Sequence, residues 1–316
     1  MRFGVVGCSD IGWRRTLPAL AADPAVELVA IASRDAGKAE RYAARFGAAP
    51  VTGYDALFDR GDLDAVYIPL PTGLHARWIR RALEAGLHVL VEKPIARDAA
   101  EAGPLLDLAR DHGLVLRENL TFVFHSQQRT VRDLLAAGTI GEPRALTAVF
   151  GIPPLPPRDI RYRADLGGGA LRDLGIYVAQ TALMFLGPRY EVRGAWLTTR
   201  DGVDVSGAAL VAFGSDATAS LQFGFEHSYR SGYEVWGDGG RIVLDRAYTA
   251  PAGHQPRLRI EFPDRVEERL LPPDDQFANT VRDFARCAGK DGPEATDGER
   301  ILRRARLLDD IRAAAE

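Results

Sequence analysis

Across the first 120 residues, short apolar runs alternate with longer amphipathic ones, and that alternation limits the possible folds more than any other feature of the chain. Residues 2–6, 27–32, 65–68, 88–91 and 115–116 predict strands, and residues 13–22, 36–46, 75–85 and 99–111 predict helices. Strands joined through helices of this length form βαβ units and a parallel sheet. The strands are apolar throughout rather than alternating, as required when helices cover both faces.

After Asn119 the rhythm changes. A helix over 126–137 stops at Gly138, and a strand over 144–152 runs into Pro153-Pro154-Leu155-Pro156-Pro157, which cannot join a sheet ladder. Gly167-Gly168-Gly169 precedes a helix over 170–186. Strands follow over 192–199, 205–213, 217–225, 233–236, 241–245 and 257–262, then helices over 275–287 and 298–315. Successive strands with short turns predict an antiparallel sheet. The expectation is an α/β domain over 1–119 and an α+β domain over 120–316, consistent with a length of 316 residues.

Lysine and arginine number 40 against 43 acidic residues, a net charge of −3 without the cation excess of a nucleic-acid-binding surface. The longest apolar runs, 65–70 and 205–213, fall short of the ~20 residues that span a bilayer, so no membrane partner is expected. The first residues enter a strand directly and leave no room for a signal peptide, which predicts a cytoplasmic protein. Cys8 and Cys287 have no metal-type spacing, and no metal is expected.

The first strand ends in Gly7-Cys8-Ser9-Asp10-Ile11-Gly12, where a dinucleotide fingerprint belongs, with Ser9 replacing the middle glycine. The first glycine allows the tight turn, the last permits close helix packing, and the helix N-terminus faces a pyrophosphate. Alone this is a weak signal; its place after the first strand of a βαβ series strengthens it. The second strand ends in Ser33-Arg34-Asp35, with Lys38 one turn on. NAD sites place an acidic residue there, whereas Ser33, Arg34 and Lys38 suit the 2′-phosphate of NADPH. The bland reading is a solvated Ser-Arg pair with Asp35 as helix N-cap.

Lysine occurs only at Lys38, Lys93 and Lys290 in a chain otherwise supplied with arginine. Lys290 sits in a polar turn and gains no chemistry from its sequence context. Lys93 ends a strand in Val91-Glu92-Lys93-Pro94, and strand carboxyl ends face the ligand crevice of an open α/β sheet. Pro94 biases Lys93 toward an extended backbone and permits a cis bond. Lysine can lose its proton when desolvated and guanidinium cannot, which points to a proton-active or carbonyl-binding cation. The alternative is a surface pair with Glu92.

These segments together resemble the Gfo/Idh/MocA oxidoreductases. The resemblance rests on the turn from Gly7 to Ile11, Ser33-Arg34, Pro69-Leu70-Pro71-Thr72-Gly73-Leu74-His75, Glu92-Lys93-Pro94 and the block from Gly167 to Tyr177, in the family's order along the chain. It implies a Rossmann domain followed by an open-faced, mostly antiparallel sheet, with a pyridine nucleotide bound. Leu70, Thr72, His75, Glu92 and Lys93 join the cofactor-binding set on this ground.

Asp173 and Tyr177 are four apart on a predicted helix and share a face. Many family dehydrogenases carry histidine at the second position, which suits alcohol oxidation. A phenol, with its reference pKa near ~10, suits proton donation and hence carbonyl reduction. With Trp13-Arg14-Arg15, Glu118-Asn119 and His125-Ser126-Gln127, and the loop from Leu155 to Arg163, this tyrosine makes the chain similar to NADPH-dependent 3-ketoreductases of nucleotide-linked deoxysugars. That likeness implies Lys93, Tyr177 and Asp173 as the catalytic set and a dTDP-linked keto-sugar as substrate.

Arginine forks suit a diphosphate. Arg158, Arg161 and Arg163, with Tyr162 beside them, are therefore expected at the substrate, as are Arg14, Arg15 and Asn119. A large sheet with few helices to cover it predicts a homo-oligomer. Two other classes remain open: a dehydrogenase of a free sugar, inositol or small diol, and a non-catalytic NADP-binding regulator.

Overall fold

A computed structural model describes residues 1–289 and 295–315. They divide into two compact units, Met1–Thr121 with Phe277–Leu302, and Phe122–Gln276 with the chain from Arg303 onward. Lys290 lies outside the described residues.

The first unit holds a parallel six-stranded sheet in the order β3-β2-β1-β4-β5-β6, the doubly wound order. Its strands are β1 (Arg2–Val6), β2 (Glu27–Ser33), β3 (Ala49–Thr52), β4 (Ala65–Ile68), β5 (His88–Val91) and β6 (Leu116–Glu118). Helices α1 (Leu17–Ala22), α2 (Ala36–Phe46), α3 (Asp55–Phe58), α4 (His75–Glu84) and α5 (Ala99–Asp111) connect them. Alternate strand residues enter separate cores: Phe3, Val5, Ile31, Tyr67 and Leu90 on one face, Val6, Ala32, Ile68 and Val91 on the other. Helix α8 (Gln276–Ala288) seals the first face with Val281 and Phe284, so a late segment completes the first unit's core. Strand β3, absent from the sequence reading, carries Pro50 at the sheet edge, where a missing N–H is tolerated.

The second unit's sheet has eight strands in the order β14-β13-β12-β11-β7-β10-β9-β8. These are β7 (Pro143–Gly151), β8 (Tyr190–Arg200), β9 (Val203–Phe213), β10 (Ala217–Gly224), β11 (Arg230–Gly237), β12 (Arg241–Asp245), β13 (Arg257–Glu261) and β14 (Val266–Leu270). Every pair is antiparallel except β10 with β7, which run parallel. Helix α6 (Ser126–Ala136) precedes the sheet. Helix α7 (Ile176–Leu186) packs on the face carrying Ala219, Leu221 and Phe223. The last helix, α9 (Ala295–Ala313), runs from one unit into the other. Strand β14 was hidden by its charged text, Val266-Glu267-Glu268-Arg269-Leu270, which suits an exposed edge.

Candidate active site

In the first unit the turn after β1 has Gly7 at φ +112°, and a Cβ there would lie 2.5 Å from Leu70 Cδ2. Only glycine satisfies both constraints, and Leu70 thereby supports the turn. The Ser9 hydroxyl accepts the Gly12 amide at 3.0 Å, and the Tyr42 hydroxyl donates to the Ser9 carbonyl at 3.1 Å. The following helix opens with a π turn, Gly12–Thr16, rather than the regular α-helix expected from 13 to 22. Arg14 is paired with Asp10 at 2.5 Å and Arg15 is exposed. Burial pushes the Cys8 thiol up to about 11, so it is a neutral member of the turn.

The end of β2 tests the fit to a cofactor phosphate. Asp35 Oδ1 accepts the Lys38 amide at 2.9 Å as the N-cap of α2, so the carboxylate is engaged by its own helix. The Ser33 hydroxyl accepts the Asp35 amide at 3.2 Å, and the exposed Arg34 guanidinium lies by the Tyr54 hydroxyl, which burial otherwise raises in pKa. A hydroxyl and a guanidinium, beside a carboxylate turned to its own helix's amide, form a donor set that fits a 2′-phosphate.

At the end of β5 the Lys93–Pro94 peptide is cis. Beneath it Glu92 Oε1 accepts from the Tyr67 hydroxyl and the Asn119 amide, each at 2.7 Å. Desolvation raises the Glu92 carboxyl above its ordinary pKa, although both donors pull the other way. Asn119 is buried and also reaches Thr16 Oγ1 at 3.2 Å. Asn119, expected at the substrate, thus spends its side-chain amide nitrogen on Thr16 and on Glu92, next to Lys93 in the chain. His75, expected at the cofactor, is likewise engaged by protein groups. It has no exposure, and its ring nitrogens lie 2.8 Å from the Pro94 carbonyl and 2.7 Å from that of Leu70, tying the segment after β4 to the segment after Lys93. Thr72 opens the short 3₁₀ turn Thr72–Leu74 between them.

In the second unit Asp173 sits in a π turn, Leu171–Gly175, from which α7 continues with Tyr177 in its first turn. A uniform α-helix over 170–186 was expected; π turns inserted in helices are frequent at functional sites. The glycine run permits this start. A Cβ on Gly168 would fall 2.4 Å from the Arg161 carbonyl, and one on Gly169, at φ +123°, 2.6 Å from Asp204 Oδ1. The buried Asp204 carboxylate accepts the Leu171 amide at 2.5 Å and pairs with Arg312 at 3.0 Å. Tyr177 belongs to an aromatic cluster, its ring 5.0 Å from Phe150 and 5.5 Å from Phe122 and from Tyr248.

The loop before this helix carries the arginines expected at the diphosphate. Arg161 Nε donates to Asp173 Oδ2 at 2.7 Å and its Nη1 to Asp159 at 3.2 Å. Arg163 pairs with Asp165 at 2.5 Å, and the Tyr162 hydroxyl accepts the Leu155 amide at 3.2 Å. Arg158 is exposed and makes no ion pair with a described residue. Among the described residues no His, Cys, Asp or Glu cluster is arranged for a metal ion, and no helix is long and apolar enough to cross a membrane.

Residues 1–120 match the family model described as the oxidoreductase family, NAD-binding Rossmann fold, and residues 128–243 match the GFO/IDH/MocA C-terminal domain. The chain belongs to the Gfo/Idh/MocA oxidoreductase family. It is 53% identical to a dTDP-3,4-didehydro-2,6-dideoxy-alpha-D-glucose 3-reductase from Streptomyces violaceoruber, over 100% of this chain and 95% of the relative. It is 49% identical to one from Saccharopolyspora spinosa, over 98% and 96%. A 3-ketoreductase from Actinomadura kijaniata, solved with NADP and TDP-benzene, superposes with a TM-score of 0.97 at 49% identity, covering 99% of this chain and 97% of that one.

For a Gfo/Idh/MocA oxidoreductase, the residues that sequence reasoning missed are supports. Tyr42 and Tyr54 brace the phosphate turn and Arg34, and Asp204 caps the helix that carries Asp173 and Tyr177. The only sequence signal for Asp204 is an acidic residue interrupting the apolar run Val203-Asp204-Val205.

Proposed function

We propose that this chain is an NADPH-dependent 3-ketoreductase acting on a dTDP-linked keto-deoxysugar. The observation that carries this reading is the 49–53% identity, along essentially the whole chain, to reductases named for that reaction. Support from the molecule's own chemistry is a strand end that offers Ser33 and Arg34 to a phosphate while Asp35 is engaged as a cap. Gly7 to Gly12, Ser33, Arg34 and Lys38 hold the nucleotide, which when bound supplies the hydride for the ketone carbon.

The chain's own part is acid catalysis and charge stabilisation. The Lys93 ammonium and Tyr177 hydroxyl stabilise the oxygen as it becomes an alkoxide, a charge absent from the ground state, and supply its proton. Asp173 orients the sugar. The diphosphate falls to Arg158 and Arg15 rather than to the arginines already held in ion pairs. A second copy of the chain covers the sheet face opposite α7, where Trp196, Leu210 and Trp236 are exposed.

The test is NADPH consumption across dTDP- and UDP-linked keto-sugars, with product stereochemistry read by NMR. Lys93→Ala is expected to bind NADPH like the parent and to lose roughly 10²–10⁴ in turnover. Unchanged turnover removes Lys93 from the chemistry, and failure to consume NADPH with any keto-sugar overturns the reading.

A further inference from the structure

We propose that Arg161 is a positioning residue that fixes the Asp173 carboxylate, rather than a ligand of the substrate's diphosphate. The proposal rests on the keto-sugar reading above.

Arg161 is constrained at both ends. Its amide donates to Asp159 Oδ1 at 3.0 Å, and its carbonyl accepts the Gly169 amide at 3.0 Å. The neighbouring Arg163 carbonyl accepts the Gly168 amide at 2.9 Å. The loop is thus stitched to the glycine run that begins the helix, and the bare Gly168 backbone is what lets it approach so closely. At the other end the guanidinium bridges two carboxylates, Asp159 and Asp173. Asp173 is the largest cause of the raised Arg161 pKa, with burial opposing it.

Charge decides between the two roles. The Arg161 guanidinium already pairs with two carboxylates, so a diphosphate approaching it meets two anions in place. Drawing Arg161 away would also break its ion pair with Asp173, a carboxylate largely shielded from solvent. The Nε contact is directional, so it sets the rotamer of Asp173. A π turn beneath Asp173 alters which side chains align along the helix, and Arg161 supplies the lateral restraint.

Three measurements on the full chain test this: turnover, KM for the keto-sugar nucleotide, and the Kd of dTDP. Arg161→Gln is expected to lower kcat by roughly 10–100-fold while the dTDP Kd stays within about twofold. In the Asp173→Asn background the same substitution is expected to add little, because the group it positions is gone. Arg161→Lys, which keeps the charge but not the fork, guards against misfolding and is expected to recover part of the loss. A tenfold weaker dTDP affinity with kcat unchanged would make Arg161 a diphosphate ligand. Losses that simply multiply in the double variant would overturn the coupling to Asp173. Failure of the activity reading shows separately, as absent NADPH consumption by the unaltered chain, and the dTDP arm needs no turnover.

Discussion

The Asn119 amide donates to Glu92 Oε1 at 2.7 Å, directly beneath the strand end that presents Lys93. Thr16 and Tyr67 complete the cluster, so the support under the lysine draws on β4, β5, the end of β6 and the first helical turn. Asn119→Ala removes a buried donor from two acceptors and is expected to cost about 1–3 kcal/mol in urea unfolding. A loss within experimental error would mean that water replaces the amide at no cost.

The same cluster has a pH signature. Burial raises the Glu92 pKa, so the folded state holds this proton more tightly than the unfolded chain. Its contribution to stability is then full below the ordinary glutamate pKa, near ~4.3, and declines as pH rises through the folded value. Glu92→Gln keeps the Oε1 acceptor and abolishes the titration. Unfolding midpoints at pH 5 and pH 8 are expected to differ less in this variant than in the parent; an equal or larger difference places the titration elsewhere.

Cofactor preference follows from the end of β2. With Asp35 committed to capping α2, Arg34→Ala is expected to weaken NADPH by roughly 10–100-fold, the scale of a charge-assisted hydrogen bond, and to leave NADH nearly unchanged. Fluorescence titration with both nucleotides measures this. Equal affinities for both in the parent would remove the 2′-phosphate role from this strand end.

How legible all this was in the sequence depended on the range of the interactions. Gly7, the apolar strands and the Asp35 cap are local features, and they were readable because a turn, a buried strand and an N-cap each impose residue types at short spacing. Pro50 concealed β3 and the charges of β14 concealed an edge strand, since edges relax the usual preferences. The Arg161–Asp173 ion pair was not legible, because the two lie twelve residues apart across an irregular loop. His75 and Asn119 sat in a recognised motif, yet their burial is a property of the packed sheet and could not be seen in the motif itself. The π turns left no trace in a 3.6-residue periodicity.

Asp204 offers a stability test inside the second unit. Its buried carboxylate caps the Asp173 turn and is neutralised by Arg312. Arg312→Ala leaves that charge unpaired and is expected to destabilise by roughly 3 kcal/mol. Asp204→Asn added to Arg312→Ala is expected to return part of the loss, because the neutral amide still caps Leu171. Additive losses in the double variant would mean that the two residues act independently.

The uncovered sheet face supports the last prediction. Leu210, Ser220, Thr147 and Glu234 are aligned across four neighbouring strands, as are Trp196, Ala208, Gln222 and Val149. Side chains directly opposite one another in a ladder share a face, and Trp236, opposite Ala145, falls on the same one. Trp196 and Trp236 are 72% and 61% exposed, and Leu210 on the same face is exposed as well. Large aromatics left in water on one sheet face mark an interface. Light scattering is expected to give a multiple of 34.4 kDa for the parent and a single chain for Trp196→Glu combined with Trp236→Glu. A parent that already runs as a single chain overturns the proposed pairing.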